Sequence, residues 1–152
     1  MHITLRTFFR YWAPAIGWVL VILIASSDLM SAEHTSRFIG PFLRWIVPDI
    51  SEAAIAAVQL CVRKAAHLAE YAILAALILR GFAGEATRPR TRHVLSAFAL
   101  TAICASGDEF RQSFVASRTG SPLDVLLDVI GASVGLALYY YLRRRSAVAV
   151  PA

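Results

Sequence analysis

The sequence predicts an all-α integral membrane bundle of four transmembrane helices, in a single domain over residues 1–152, with an interfacial segment between the first and second helices. Three observations predict it. The chain is 58% hydrophobic and only 16% charged, whereas soluble domains average about 25% charged residues. Its apolar residues come in long runs, at 11–27, 94–107 and 129–142, rather than in stripes that leave a polar outer face. Its lysines and arginines are divided unevenly between alternate connections, as the topology of a membrane protein demands.

The first span is placed at residues 11–26, after the basic residues Arg6 and Arg10, with Pro14 tolerated in its first turn. Ala25-Ser26-Ser27 would suit signal-peptide cleavage, but three further apolar segments hold the chain in the membrane either way. Residues 37–48 then combine Phe38, Phe42 and Trp45 with Arg37 and Arg44, a mixture suited to the headgroup boundary as an interfacial or re-entrant piece. Ser51 and Glu52 start a helix whose second half, residues 64–82, is the second span, with Gly81 and Gly84 helping to end it. The third span covers 93–107, and a polar stretch follows at 108–121. Ser121 as N-cap and Pro122 in the first turn open the fourth span, 122–142, which Arg143, Arg144 and Arg145 stop. Cys61 and Cys104 have no CxxC spacing and read as small packing residues.

Grouping the N-terminus, the 80–92 connection and the tail puts nine basic residues against one acid, Glu85, on one side, for a net +8. The other side carries six basic residues and nine acids, a net −3. The first side is therefore expected to be cytoplasmic, with both termini there. A positive charge so arranged serves topology and anionic lipid rather than nucleic acid.

On the second span, Arg63, Lys64, His67, Glu70 and Tyr71 fall within an arc of roughly 120° at about 100° per residue. Asp108, Glu109 and Gln112 share a second arc, and Asp124 and Asp128 lie four apart on a stripe continued by Gly131 and Gly135. Glycines four apart let helices approach closely, so that stripe is expected to pack inward. Ionisable side chains at membrane depth are costly unless paired or watered, which makes their convergence near the outer face a site by default. For each residue a plainer role stands beside this one. Arg63, Lys64, Arg111 and Arg118 can snorkel to the interface, His67 with Glu70 can tie helices together, and Asp124 and Asp128 suit a helix N-terminus.

With these residues in view, the chain resembles the VanZ-like family of bacterial membrane proteins. The resemblance rests on Arg63-Lys64-x-x-His67-x-x-Glu70-Tyr71, on Asp108-Glu109-x-x-Gln112-Ser113-Phe114 followed by Arg118, and on Asp124-x-x-x-Asp128-x-x-Gly131-x-x-x-Gly135. The family usually has a histidine just before the glutamine, where this chain has Arg111. The resemblance implies a bacterial cytoplasmic-membrane location and an association with low-level resistance to the glycopeptide teicoplanin.

Three functions compete. The first is a binding or modulating protein: the outer-facing cluster takes a lipid headgroup, a lipid-linked cell-wall precursor or a glycopeptide, with Arg63, Lys64 and Arg118 meeting its phosphate or carboxylate. The second is a membrane-embedded enzyme acting on a phosphorylated lipid. In it His67, Glu70, Asp108, Glu109, Asp124 and Asp128 work as acid and base, or hold a divalent metal through His67, Glu70, Asp108, Glu109 and Asp128. No HExxH, GxSxG or P-loop spacing accompanies them, and apart from that metal no cofactor is evident. The third is a small proton-coupled carrier built on His67 and Glu70. Membrane lipids are partners under every reading.

Overall fold

The computed structural model describes residues 5–27, 32–86, 88–114 and 121–148, and among these the chain is all-helical. The elements are α1 (Leu5–Tyr11), α2 (Ala13–Ala25), α3 (Ala32–Ile46), α4 (Glu52–Ala83), α5 (Thr91–Gln112) and α6 (Pro122–Val148). By length and composition, α4 and α6 can each cross a membrane, and α1 with α2 makes a third candidate if the pair is one span bent by 45°.

The bend has a local cause. Pro14, in the first turn of α2, has no N–H for the carbonyl of Arg10 and its ring crowds that carbonyl. Arg80 of α4 supplies the missing donor, its Nη2 lying 3.0 Å from the Arg10 oxygen. Trp12, at the break, lies edge-on to Phe82 with ring centroids 5.1 Å apart. The same indole covers Gly81, where a Cβ would come within 2.9 Å of the ring. Gly81 thus makes room for Trp12, and the end of α4 is set by Gly84, whose φ of 55° lies in the left-handed region that glycine favours.

Helix α4 is the axis of the fold and touches each of the other helices. Its 32 residues extend about 48 Å at 1.5 Å per residue, more than the roughly 30 Å of a hydrocarbon core. Ser51 caps its start by accepting from the Ala54 N–H at 3.2 Å. Against this early part lies α3, with Gly40 beside Ile55 and an Arg44–Glu52 ion pair. Phe38, Phe42, Trp45 and Ile46 form an exposed apolar stripe along α3, the pattern of a helix lying in a membrane interface. The core itself is built from Tyr71, Leu74, Ala75, Ile78 and Leu79 of α4, with alanines of α2, α5 and α6 packed around them.

Small residues let α6 run against α4 at backbone distance. A Cβ on Gly131 would sit 2.4 Å from the Leu68 carbonyl oxygen, and one on Gly135 would sit 2.0 Å from that of Ala72. Helix α5 closes the other side of this pair and runs on through Gly107 to Gln112. Gly135→Val is expected to lower the unfolding temperature of the detergent-purified protein, at a cost at or above the roughly 1–3 kcal/mol of ordinary overpacking. Gly107→Ala, at a helical position where a Cβ meets nothing within 4 Å, should leave the unfolding temperature unchanged or raise it slightly.

Candidate functional site

The polar residues converge where the end of α2, the middle of α4, the end of α5 and the start of α6 meet. Asp128 of α6 has 0% exposure, and His67 of α4 is buried beside it. His67 Nδ1 lies 3.2 Å from Asp128 Oδ1. One turn nearer the start of both helices, Lys64 pairs with Asp124. Helix α5 brings its last turn alongside, so that ligand atoms of His67, Glu109 and Asp128 lie within 4.8 Å of one another.

Each α5 acid is held by its surroundings. Asp108 Oδ2 accepts from the Ser26 hydroxyl at 2.6 Å and from Gln112 Nε2 at 2.9 Å. Its Oδ1 accepts from Arg111 Nη2 at 3.1 Å, and the same nitrogen reaches the Leu23 carbonyl at 3.3 Å. Glu109 Oε2 accepts the backbone N–H of Ser121 at 3.0 Å, just ahead of α6, while its Oε1 accepts from Gln112 at 3.3 Å. The Ser121 side chain caps α6 by accepting from the Leu123 N–H at 3.2 Å. Two buried oxygens have no hydrogen-bond partner among the described residues, Asp128 Oδ2 and the Tyr71 hydroxyl.

Beside this cluster a crevice of about 160 Å³ opens between α2, α4 and α5. Its walls are mostly apolar, including Val19, Ile22, Leu23, Leu74 and Cys104, and Tyr71, Asp108 and Arg111 also line it. The Arg111 side chain is 38% exposed, so its guanidinium is available at the crevice while it also holds Asp108.

Of the residues singled out from the sequence, Lys64, His67, Tyr71, Asp108, Glu109, Gln112, Asp124 and Asp128 meet in this region. Arg63 is exposed on α4. The Glu70 side chain is half-buried, and its backbone carbonyl accepts the Trp18 indole N–H at 2.9 Å. Arg118 lies outside the described residues. Of the five metal candidates, His67, Glu109 and Asp128 group together, and Glu70 and Asp108 lie outside that group. Sequence reasoning missed Ser26 and the double role of Arg111. Ser26 is 3% exposed and serves Asp108, and its only sequence signal is a hydroxyl at the end of an apolar run.

A family model described as VanZ/LLP1 matches residues 9–143, a stretch that contains every element of the site. Comparison with curated proteins and with solved structures gave no match.

Asp108→Ala would leave Ser26, Gln112 and Arg111 without their shared acceptor. The expected cost is about 1–3 kcal/mol, the range for leaving buried polar partners unsatisfied, since Arg111 is itself partly exposed. Glu52→Ala, which removes the exposed partner of Arg44, should cost at most about 1 kcal/mol. Chemical or thermal unfolding in detergent compares the two.

Proposed function

This chain belongs to the VanZ/LLP1 family, and from that premise we propose that it is a bacterial cytoplasmic-membrane protein that binds an anionic, phosphorylated envelope lipid at its outer face. The family is one of membrane proteins associated with glycopeptide resistance, and a lipid-linked cell-wall precursor is the member of this ligand class that such a role would engage. The observation that carries the reading is the crevice, with apolar walls for a chain and Arg111 for an anionic head. Guanidinium matches phosphate geometry with two parallel donors. Tyr71, on the same wall, has a hydroxyl with no hydrogen-bond partner among the described residues and adds a hydrogen-bonding group. In this reading Arg111 rather than Lys64 meets the anion because it lines the crevice, although each is also paired with an acid.

In this reading α2, α4, α5 and α6 all cross the membrane, α3 lies along its outer surface and both termini are cytoplasmic. The support is the charge division, nine basic residues and one acid on the side of the termini, together with the interfacial stripe of α3. Burial of α5 against both α4 and α6 explains how a helix with acids in its last turn is accommodated.

Two measurements test the proposal. Purified protein reconstituted with undecaprenyl phosphate and phosphatidylcholine should retain the phosphate lipid in native mass spectrometry. Arg111→Ala should weaken retention by roughly tenfold, or about 1.4 kcal/mol, and Gly107→Phe, which puts a ring at a position on the crevice wall, should remove it. Equal retention by all three proteins would refute the reading. On a background lacking Cys61 and Cys104, Ser113→Cys should react with an impermeant maleimide in intact cells and Ala86→Cys should not. The reverse pattern would turn the molecule over.

A further inference from the structure

The geometry points to a divalent-cation site formed by His67, Glu109 and Asp128, none of which lines the neighbouring lipid crevice. One ligand atom from each residue lies within 4.8 Å of those of the other two, and all three residues are buried. A single ion at bond lengths of about 2.0–2.2 Å holds its donors roughly 3–3.5 Å apart in tetrahedral or octahedral geometry, so small side-chain rotations bring these three into bonding range. They come from three different helices, so the site exists only in the folded bundle.

Two further observations single out this group among the acids. The first is the orphan oxygen: Asp128 is fully buried, and its Oδ2 has no hydrogen-bond partner among the described residues. A buried acceptor left unpaired is costly, and a cation between two neighbouring carboxylates would supply its partner. The second is the distribution of charge. Lys64 is matched to Asp124 and Arg111 to Asp108, whereas Glu109 and Asp128 have no lysine or arginine partner among the described residues. Two carboxylates this close in a low-dielectric interior repel each other strongly, and a divalent ion would cancel both charges at once.

The donor set selects the class of ion. Carboxylates suit hard ions and imidazole suits borderline ones, so one imidazole with two carboxylates favours Zn²⁺ or Mn²⁺ over Ca²⁺. The surroundings resemble an outer shell: Gln112 Nε2 and the Ser121 N–H hold the Glu109 carboxylate, fixing the direction of its remaining lone pairs. Three protein donors leave coordination positions open for water or a ligand oxygen.

The test uses the full-length protein in detergent, stripped with chelator and titrated with zinc chloride or manganese chloride alone. Equimolar binding of at least one ion is expected, and the Mn²⁺ form should show coupling to an imidazole nitrogen by electron spin-echo spectroscopy. Asp128→Asn, Glu109→Gln and His67→Gln should each lose more than the roughly 10–100-fold in affinity that loss of an outer-shell partner costs. Glu85→Gln, at an exposed acid, should bind as the parent does. Where a variant fails to fold, the parent protein still decides. Failure of the folded parent to bind either ion in equimolar amount overturns the site, as does Mn²⁺ binding without nitrogen coupling or full binding by the folded Asp128→Asn protein.

Discussion

The backbone contact between α4 and α6 is the constraint from which the rest follows. Gly131 lies on Leu68 and Gly135 on Ala72, and a register fixed at these two points fixes the polar pairs one and two turns away. Lys64 meets Asp124 and His67 meets Asp128 along the same seam, because both helices run in the same direction and rise equally per residue. Sliding one helix by a turn would separate all four pairs together. No side chain larger than hydrogen fits at the two glycines, and that small-residue requirement is what holds an imidazole against a carboxylate below the surface.

Charge at depth is the second constraint, and it explains the placement of the weaker partners. An acid carried into an apolar bundle needs donors aimed at it. Helix α5 provides some within its own last turn, through Arg111 and Gln112. The remainder come from ends of other elements, the Ser26 hydroxyl after α2 and the Ser121 N–H before α6, where backbone and hydroxyl groups are not used up by the helix. The same logic operates at the opposite end of α4, where Arg80 serves the carbonyl that Pro14 leaves without a partner.

How far the sequence could reveal this depended on period and distance. Helical spacing put His67 and Tyr71 on one face, and glycines four apart marked the side of α6 that packs, since both are properties of a single helix. The polar arc of α4 was less well centred. Centring instead on the buried residues His67, Tyr71, Leu74, Ala75 and Ile78 moves the inward direction by about 25° and leaves Arg63 and Glu70 roughly 65–85° off axis at 100° per residue. Periodicity among the charged residues alone could not show this. Nor could it show Ser26, which joins Asp108 from 82 positions away, or the bend at Trp12, which depends on a proline read together with a distant arginine.

The cation group and the crevice are neighbours by construction. Asp108 lines the crevice and Glu109 belongs to the cation group, and consecutive residues of one helix cannot be moved separately. Gln112 joins them more directly, its Nε2 donating to Asp108 Oδ2 at 2.9 Å and to Glu109 Oε1 at 3.3 Å. The amide has two hydrogens, so it can serve both carboxylates only while they keep their present spacing. A head group that drew Arg111 away from Asp108 would increase the demand of Asp108 on this amide and loosen its hold on Glu109. Under the two proposals, a ligand in the crevice and the geometry of the His67–Glu109–Asp128 group would thereby be coupled through a single side chain, Gln112, which lies in neither group.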